Sequence, residues 1–393
     1  MLKTDKTYKI YYGDSFKKEF AATVIDCIKT NNAYNIILDK TIFYPESGGQ
    51  PADTGQLEIK EGIINISDVR EKGDTILHVS DSYIPPGTAV NGKINWGRRF
   101  SNMQQHTGEH IVSGVIKEHF KFDNVGFHIG ADAVTIDLNG LLTASCLQFI
   151  EEKSNEAIYE NIPVSAQFFP QEDIKELNYR SKRELSGDIR IVSIPGYDAC
   201  ACCGVHCQKT GEVGIIKILS SVKYKGGTRV SMLCGYRALK DYCQKNEQVY
   251  AISELLSVKP NEAYNGAFRI YNENGLLNKR IAALKNETYR LKCNEVPENA
   301  PFALMFEEEA QAEELRRFCL LLCERADIAA VFSESNNTLK YALGSKNQDV
   351  RIIGGHLNEK YDGRSGGQQN FISGTLRQNP GKAALEEFFK CRS

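Results

Sequence analysis

No stretch of the 393-residue chain stays apolar over the length a bilayer demands, which excludes a helical membrane span. The opening residues, MLKTDKTYKIYYGDSFKKEF, lack the apolar core of a secretory leader, so export by that route is not expected. Neither sign of charge is in excess. Lys and Arg number 48 against 50 Asp and Glu, for a formal charge of −2. That excludes a protein that grips nucleic acid over its whole surface, and any such contact must come from local basic patches. What remains is an ordinary globular composition, 41% hydrophobic and 25% charged. The length suits roughly two to four domains.

Cysteine, by contrast, is plentiful. Twelve cysteines without a leader point to reduced thiols and a cytoplasmic location. Four of them fall within the eight residues CACCGVHC, from Cys200 to Cys207. Neighbours that close bridge badly, so metal binding explains the cluster better than disulfides do.

The chain divides into four parts. Residues 1–95 carry short β-rich runs (FAATVIDCIKT, AYNIILDKTIF, GQLEIKEGIINISDV, DTILHVS) separated by Asn-Asn, Gly-Gly, Pro and Asp signals, the pattern of a small barrel or sandwich. Residues 96–237 read as α+β, with helices near 103–119 and 143–160 and a β-hairpin at EVGIIKILSSVKYKGGTRVSMLCG. Residues 238–298 turn helical. There Ala267, Ile270, Asn274, Leu277, Ile281, Leu284, Thr288 and Leu291 follow steps of three and four, a heptad seam in which Asn274 would fix register. The seam fits a homodimer through 238–298 and equally a helix lying on its own domain. Residues 299–393 alternate helices with strands and end in a Gly-rich loop and a helix, a small α/β domain. The fold class expected is α+β: an N-terminal β-barrel, an α+β metal-containing domain, a helical coiled-coil segment and a C-terminal α/β domain.

The chemistry gathers in two short motifs. In QQHTGEHIVSGVI, His106 and His110 stand four apart in a helical segment and share one face. In CCGVH, Cys202 and His206 have C-x3-H spacing in a Gly-containing loop. Together they make a set of nitrogen and sulfur donors that suits tetrahedral zinc, tying distant parts of the chain together. Cys200, Cys203 and Cys207 compete for the sulfur position. HTGEH also fits H-x-x-E-H, the zinc metallopeptidase pattern with Glu109 as general base, although that reading needs a carboxylate ligand downstream and leaves CCGVH without a role.

FYPESGGQPADTGQL, MQQHTGEHIVSGVI, CCGVHCQKTGEVGIIKI and GGTRVSMLCG occur in this order across residues 10–240. They resemble the editing domain of alanyl-tRNA synthetase and its free-standing relatives, the AlaX proteins. The helical segment and GGHLNEKYDGRSGGQQNFISG, with Gly354-Gly355 and Gly366-Gly367, are similar to the C-terminal (DHHA1) region of the synthetase, as in the long AlaX type. The resemblance implies one zinc ion on His106, His110, Cys202 and His206, and a GGQ loop at Gly48, Gly49 and Gln50. It also implies a hydrolase that deacylates alanine tRNA carrying serine or glycine, acting in trans. One departure stands out: the family's CGGTH reads CCGVH, so Cys203 and Val205 replace a glycine and a threonine.

A pocket that selects serine needs polar groups that alanine would leave unpaired. Gln50 in the Gly loop and Thr107 beside the ligands are the candidates. Phosphate contacts are expected from Lys223, Lys225 and Arg229 around a Gly-Gly turn, from Arg98 and Arg99, and from Lys360 and Arg364 near the C-terminal Gly loop. A tRNA-binding module without hydrolysis is the other alternative.

Overall fold

Buried and exposed residues alternate along Glu19–Lys29, where Phe20, Ala22 and Val24 point inward. That period of two makes a half-buried strand, and it recurs through the start of the chain. The computed structural model describes residues 6–30, 32–176, 178–181, 187–335 and 338–391. It divides into two compact units, the first ending at Val249 and the second beginning at Tyr250. Among the described residues no helix is long and apolar enough to cross a membrane.

In the first unit, seven strands form one antiparallel sheet: β1 (Glu19–Lys29), β2 (Tyr34–Leu38), β3 (Gly55–Ile59), β4 (Gly62–Ile66), β5 (Asp68–Lys72), β6 (Thr75–Ser80) and β7 (Ala89–Ile94). Their order is β4-β3-β7-β1-β2-β6-β5. β1 belongs to two halves: residues 19–23 pair with β7, and from Val24 onward the strand pairs with β2, with an irregularity between Val24 and Asp26. The two edge strands, β4 and β5, are consecutive in the chain with only Ser67 between them. The sheet therefore curls around Phe20, Ile36, Leu38, Phe43, Leu57 and Ile76. Among the described residues no ladder joins its ends, so this is a partly closed form of the β-barrel expected for residues 1–95.

Helix α1 (Trp96–Phe120) leaves the barrel. It begins well before the Met103 expected from the hydrophobic pattern, because the Asn95 side chain caps it by accepting a hydrogen bond from the Arg98 amide. It ends at Lys121, whose φ of +59° is left-handed. Residues from Arg99 to Ile116 are buried nearly all round, as befits a helix at the centre of a domain. It packs with α2 (Ala144–Glu160) against a four-stranded antiparallel sheet. The strands are β8 (Asn124–Ile129), β9 (Val134–Leu138), β13 (Ile216–Tyr224) and β14 (Gly227–Cys234), in the order β8-β9-β14-β13. Met103, Ile111 and Val115 of the helix share a core with Ile136, Val230 and Met232. A smaller sheet of β10 (Ser165–Phe169), β11 (Ile189–Ile194) and β12 (Asp198–Ala201) leads into the cysteine loop.

Helix α3 (Gly235–Leu255) follows β14. It does not run on through the helical region; Ser257, with φ +52°, and Pro260 interrupt the chain before α4 (Ala263–Asn294) begins. The second unit then folds as a five-stranded mixed sheet with helices. Its strands are β15 (Ala300–Glu308), β16 (Ala326–Ser335), β17 (Thr338–Ser345), β18 (Gly363–Gln368) and β19 (Phe371–Leu376), in the order β15-β16-β17-β19-β18, and only β15 and β16 run parallel. Its helices are α5 (Ala312–Leu322), α6 (Val350–Tyr361) and α7 (Lys382–Lys390). The Gly-rich stretch expected as a loop is the edge strand β18. At Gly367 an added Cβ would strike the backbone of the neighbouring strand, and at Gly363 it would meet Asn358 of α6 and the Leu376 side chain, so glycine at these two positions lets the edge pack closely.

Candidate metal centre

On α1 the two histidines stand one turn apart, and Gly108 between them lies against β14, where an added Cβ would fall 2.3 Å from Cys234 Sγ. Gln105 fixes the helix to the same strand. Its Nε2 donates to the Cys234 carbonyl and its Oε1 accepts from the Cys234 amide, both at 2.8 Å. The cysteine loop arrives from β12. Gly204 presses against His106 so closely that an added Cβ would sit 2.1 Å from its Cε1. Buried Arg190 holds the loop by donating from Nη1 to the carbonyls of Cys202 (2.9 Å) and Gly204 (2.7 Å).

These contacts bring His106, His110, Cys202 and His206 together, with one donor atom from each within 4.8 Å of all the others. Cys202 Sγ is 3.4 Å from His106 Nε2 and 3.4 Å from His206 Nε2. Nitrogen and sulfur on one tetrahedral zinc ion lie roughly 3.5 Å apart, so the donor set fits such an ion. Burial opposes ionisation of the Cys202 thiol, but the surrounding imidazoles, His106 foremost, outweigh it and hold the thiol well below its ordinary value. Burial pushes Cys200 and Cys203 up, and Cys207 up to about 12. Of the four thiols in the loop, Cys202 alone both meets the three imidazoles and favours the thiolate.

Each imidazole has a separate outer partner. His106 Nδ1 donates to Gln50 Oε1 at 2.8 Å. His206 Nδ1 lies 3.2 Å from Thr107 Oγ1, which also accepts from the Cys207 amide. His110 Nδ1 stands 3.0 Å from Asp198 Oδ2, an ion-pair distance whose angle is not that of an aligned hydrogen bond. Gln50 comes from a tight turn in which Ser47 and Gln50 bond to each other and Gly48 and Gly49 take φ of +59° and +83°. Gln50 and Thr107 thus touch the candidate ligand histidines directly. Gln50 Nε2, fully buried, has no hydrogen-bond partner among the described residues. Sequence reasoning missed Asp198 altogether, and Arg180 behind it.

The metallopeptidase alternative fares poorly in this geometry. Glu109 Oε1 already accepts from Ser113 Oγ at 2.7 Å and from Asn124 Nδ2, and the donors that complete the His pair are a thiolate and a third imidazole rather than a carboxylate.

Of the basic residues offered for phosphate, Arg99 is a correction. It is wholly buried, paired with Asp53 and donating to the Ser15 and Ile42 carbonyls, so no phosphate reaches it. Arg229 is engaged by Asp137 and lies 3.7 Å over the Tyr224 ring. Lys223, Lys225, Lys360 and Arg364 are exposed, as is Arg98, whose Nε donates to the Ala52 carbonyl.

Comparison with known proteins agrees with this layout. The family model for class II (A) tRNA synthetases matches residues 5–98, and the model for the second additional domain of threonyl and alanyl tRNA synthetases matches residues 189–231, the stretch that carries Cys202 and His206. Both matches are to domains of tRNA synthetases, the class of protein to which the chain is related. More particularly, it belongs to the family of alanyl-tRNA editing proteins of the AlaX type. The alanyl-tRNA editing protein AlaX-L of Pyrococcus horikoshii is 30% identical to it over 95% of both chains. Alanine–tRNA ligases from Ignicoccus hospitalis (34% identity over 73% of this chain and 31% of the ligase) and Halorubrum lacusprofundi (26% over 92% and 41%) are also similar. The chain spans under half the length of these ligases. The solved C-Ala domain of alanyl-tRNA synthetase from Aquifex aeolicus matches 23% of this chain and 92% of its own at 20% identity and a TM-score of 0.21, too slight for an argument about fold.

Proposed function

We propose that the protein is a zinc-containing hydrolase that removes serine, and glycine as a second substrate, from wrongly charged alanine tRNA in trans. The convergence of His106, His110, Cys202 and His206 in a chain of the alanyl-tRNA editing family carries this reading. In it, residues 1–95 and 96–237 form the editing part, 238–298 a helical connector and 299–393 the DHHA1-like part.

Zinc on these four donors would supply positive charge that anchors the pocket and draws the polar end of the aminoacyl ester toward it. The chain's own residues do the selecting. Gln50, fixed through Oε1 by His106, keeps its Nε2 for the substrate. An unpaired buried donor costs about 1–3 kcal/mol, a cost relieved by an acceptor such as the serine hydroxyl or the ester carbonyl. Alanine has no hydroxyl to offer, which is the basis for sparing the correct product. Thr107 acts through His206 and the Cys207 amide, holding the loop rather than the substrate. Lys223, Lys225, Arg98, Lys360 and Arg364 are the proposed phosphate contacts, with α4 as the surface through which two copies pair.

The test is hydrolysis of alanine tRNA charged with serine, glycine or alanine. The seryl ester should be cleaved, the alanyl ester spared, and Cys202→Ser should lose both metal and cleavage. Tight binding of seryl-tRNA with no release of serine by the zinc-loaded protein would establish the non-hydrolytic binding module instead.

A further inference from the structure

His110 differs from the other two ligand histidines in what stands behind it. Gln50 and Thr107 are neutral; Asp198 is a carboxylate and is itself fixed. Arg180 Nε donates to Asp198 Oδ1 at 2.6 Å and Arg180 Nη2 to Oδ2 at 2.8 Å, a bidentate pair with Asp198 nearly sealed from solvent. Arg180 is held in turn by the backbone. Its amide donates to the Ala199 carbonyl and its carbonyl accepts from the Ala201 amide, at 2.8 and 2.9 Å. The approach of Asp198 to the helix is also built in. Gly114 lies one turn beyond His110 on the same face, and an added Cβ there would fall 2.2 Å from the Tyr197 carbonyl oxygen and 2.9 Å from Asp198 Cβ. The turn at Pro195 and Gly196, the latter with φ +81°, brings the chain back to start β12 at that point.

We infer that Asp198, locked by Arg180, is a positioning residue: it orients His110 through Nδ1, directs Nε2 at the ion and sets how tightly the metal is held. This deepens the proposed function and rests on its metal site. Outer partners of ligand histidines fix ring orientation and tautomer and strengthen the ligand, and their loss typically weakens metal binding roughly 10- to 100-fold. A rival arrangement is a second ion site, because His110, Asp198 and Cys200 also bring donor atoms within 4.8 Å of one another. Arg180 opposes it. Both Asp198 oxygens are already occupied by a guanidinium, and a cation there would repel a second one.

The experiment compares the full-length protein with Asp198→Asn, which keeps size and shape, and with Arg180→Lys, which keeps the carboxylate and loosens it. Zinc affinity is read by competition with a coloured chelator, and the ligand geometry by the visible bands of cobalt-loaded protein. Asp198→Asn should bind one ion roughly 10- to 100-fold more weakly, with altered cobalt bands, and Arg180→Lys should shift both in the same direction by less. Equal affinity and unchanged bands in both variants would overturn the role of Asp198 while leaving the metal site standing. Two ions per chain would overturn it in favour of the second site. A wild-type protein that takes up neither metal would remove the site itself, and this role with it.

Discussion

At the scale of single residues, space is as decisive as donor chemistry. Gly204 has no room for a side chain because His106 occupies the place its Cβ would take. Gly204→Ala should therefore push the loop off the helix. We expect a stability loss of about 1–3 kcal/mol from overpacking, and weaker zinc retention in the protein that remains folded, both read by denaturant titration and metal analysis. The four candidate donors were legible in the sequence because each pair is short-range: His106 with His110 on one helix face, Cys202 with His206 in one loop. Spacing alone left Cys202 in competition with its three neighbours and only the family resemblance singled it out, since the choice depends on which thiol faces the imidazoles across 96 residues of chain. Asp198 was invisible for the same reason, lying 88 positions from the ring it faces. Arg99 misled because adjacent arginines look like surface charge, and nothing local reveals that Asp53 is buried opposite one of them.

At the scale of elements, periodicity located the helices and strands better than it located their ends. The start of α1 was missed because its first turn carries Gly97 and two arginines and shows no apolar stripe; the Asn95 cap is the signal that was there to use. The Gly-rich C-terminal segment read as a loop because glycine marks turns, yet here it forms a strand in which the partner's backbone leaves no room for a side chain at Gly367. The heptad seam on α4 is the element whose partner matters most. Ile270, Leu277, Ile281, Leu284 and Leu291 are about half exposed or more, and Asn274 bonds Asn278 on the same helix. If this stripe pairs with a second copy, sedimentation should give a dimer, and Leu277→Lys with Ile281→Lys should give a monomer that keeps its metal.

At the scale of the whole molecule, all four candidate metal ligands and the three outer partners Gln50, Thr107 and Asp198 lie in the unit that ends at Val249. A chain cut after Leu255, at the end of α3, should therefore fold and hold one zinc ion with the affinity of the full-length protein. Chelator competition on the two lengths checks this, and a truncated chain that folds but loses the ion would show that the second unit helps to build the site. The barrel carries a separate consequence. Its two outermost strands are joined head to tail through Ser67, so the rims that would otherwise lie open to a foreign strand are drawn to a common corner. Unsatisfied strand edges are the usual templates for sheet-to-sheet aggregation. Because the two borders meet only at that corner and carry no ladder between them among the described residues, a neighbouring chain that extended this sheet would have to add along these two largely exposed strands.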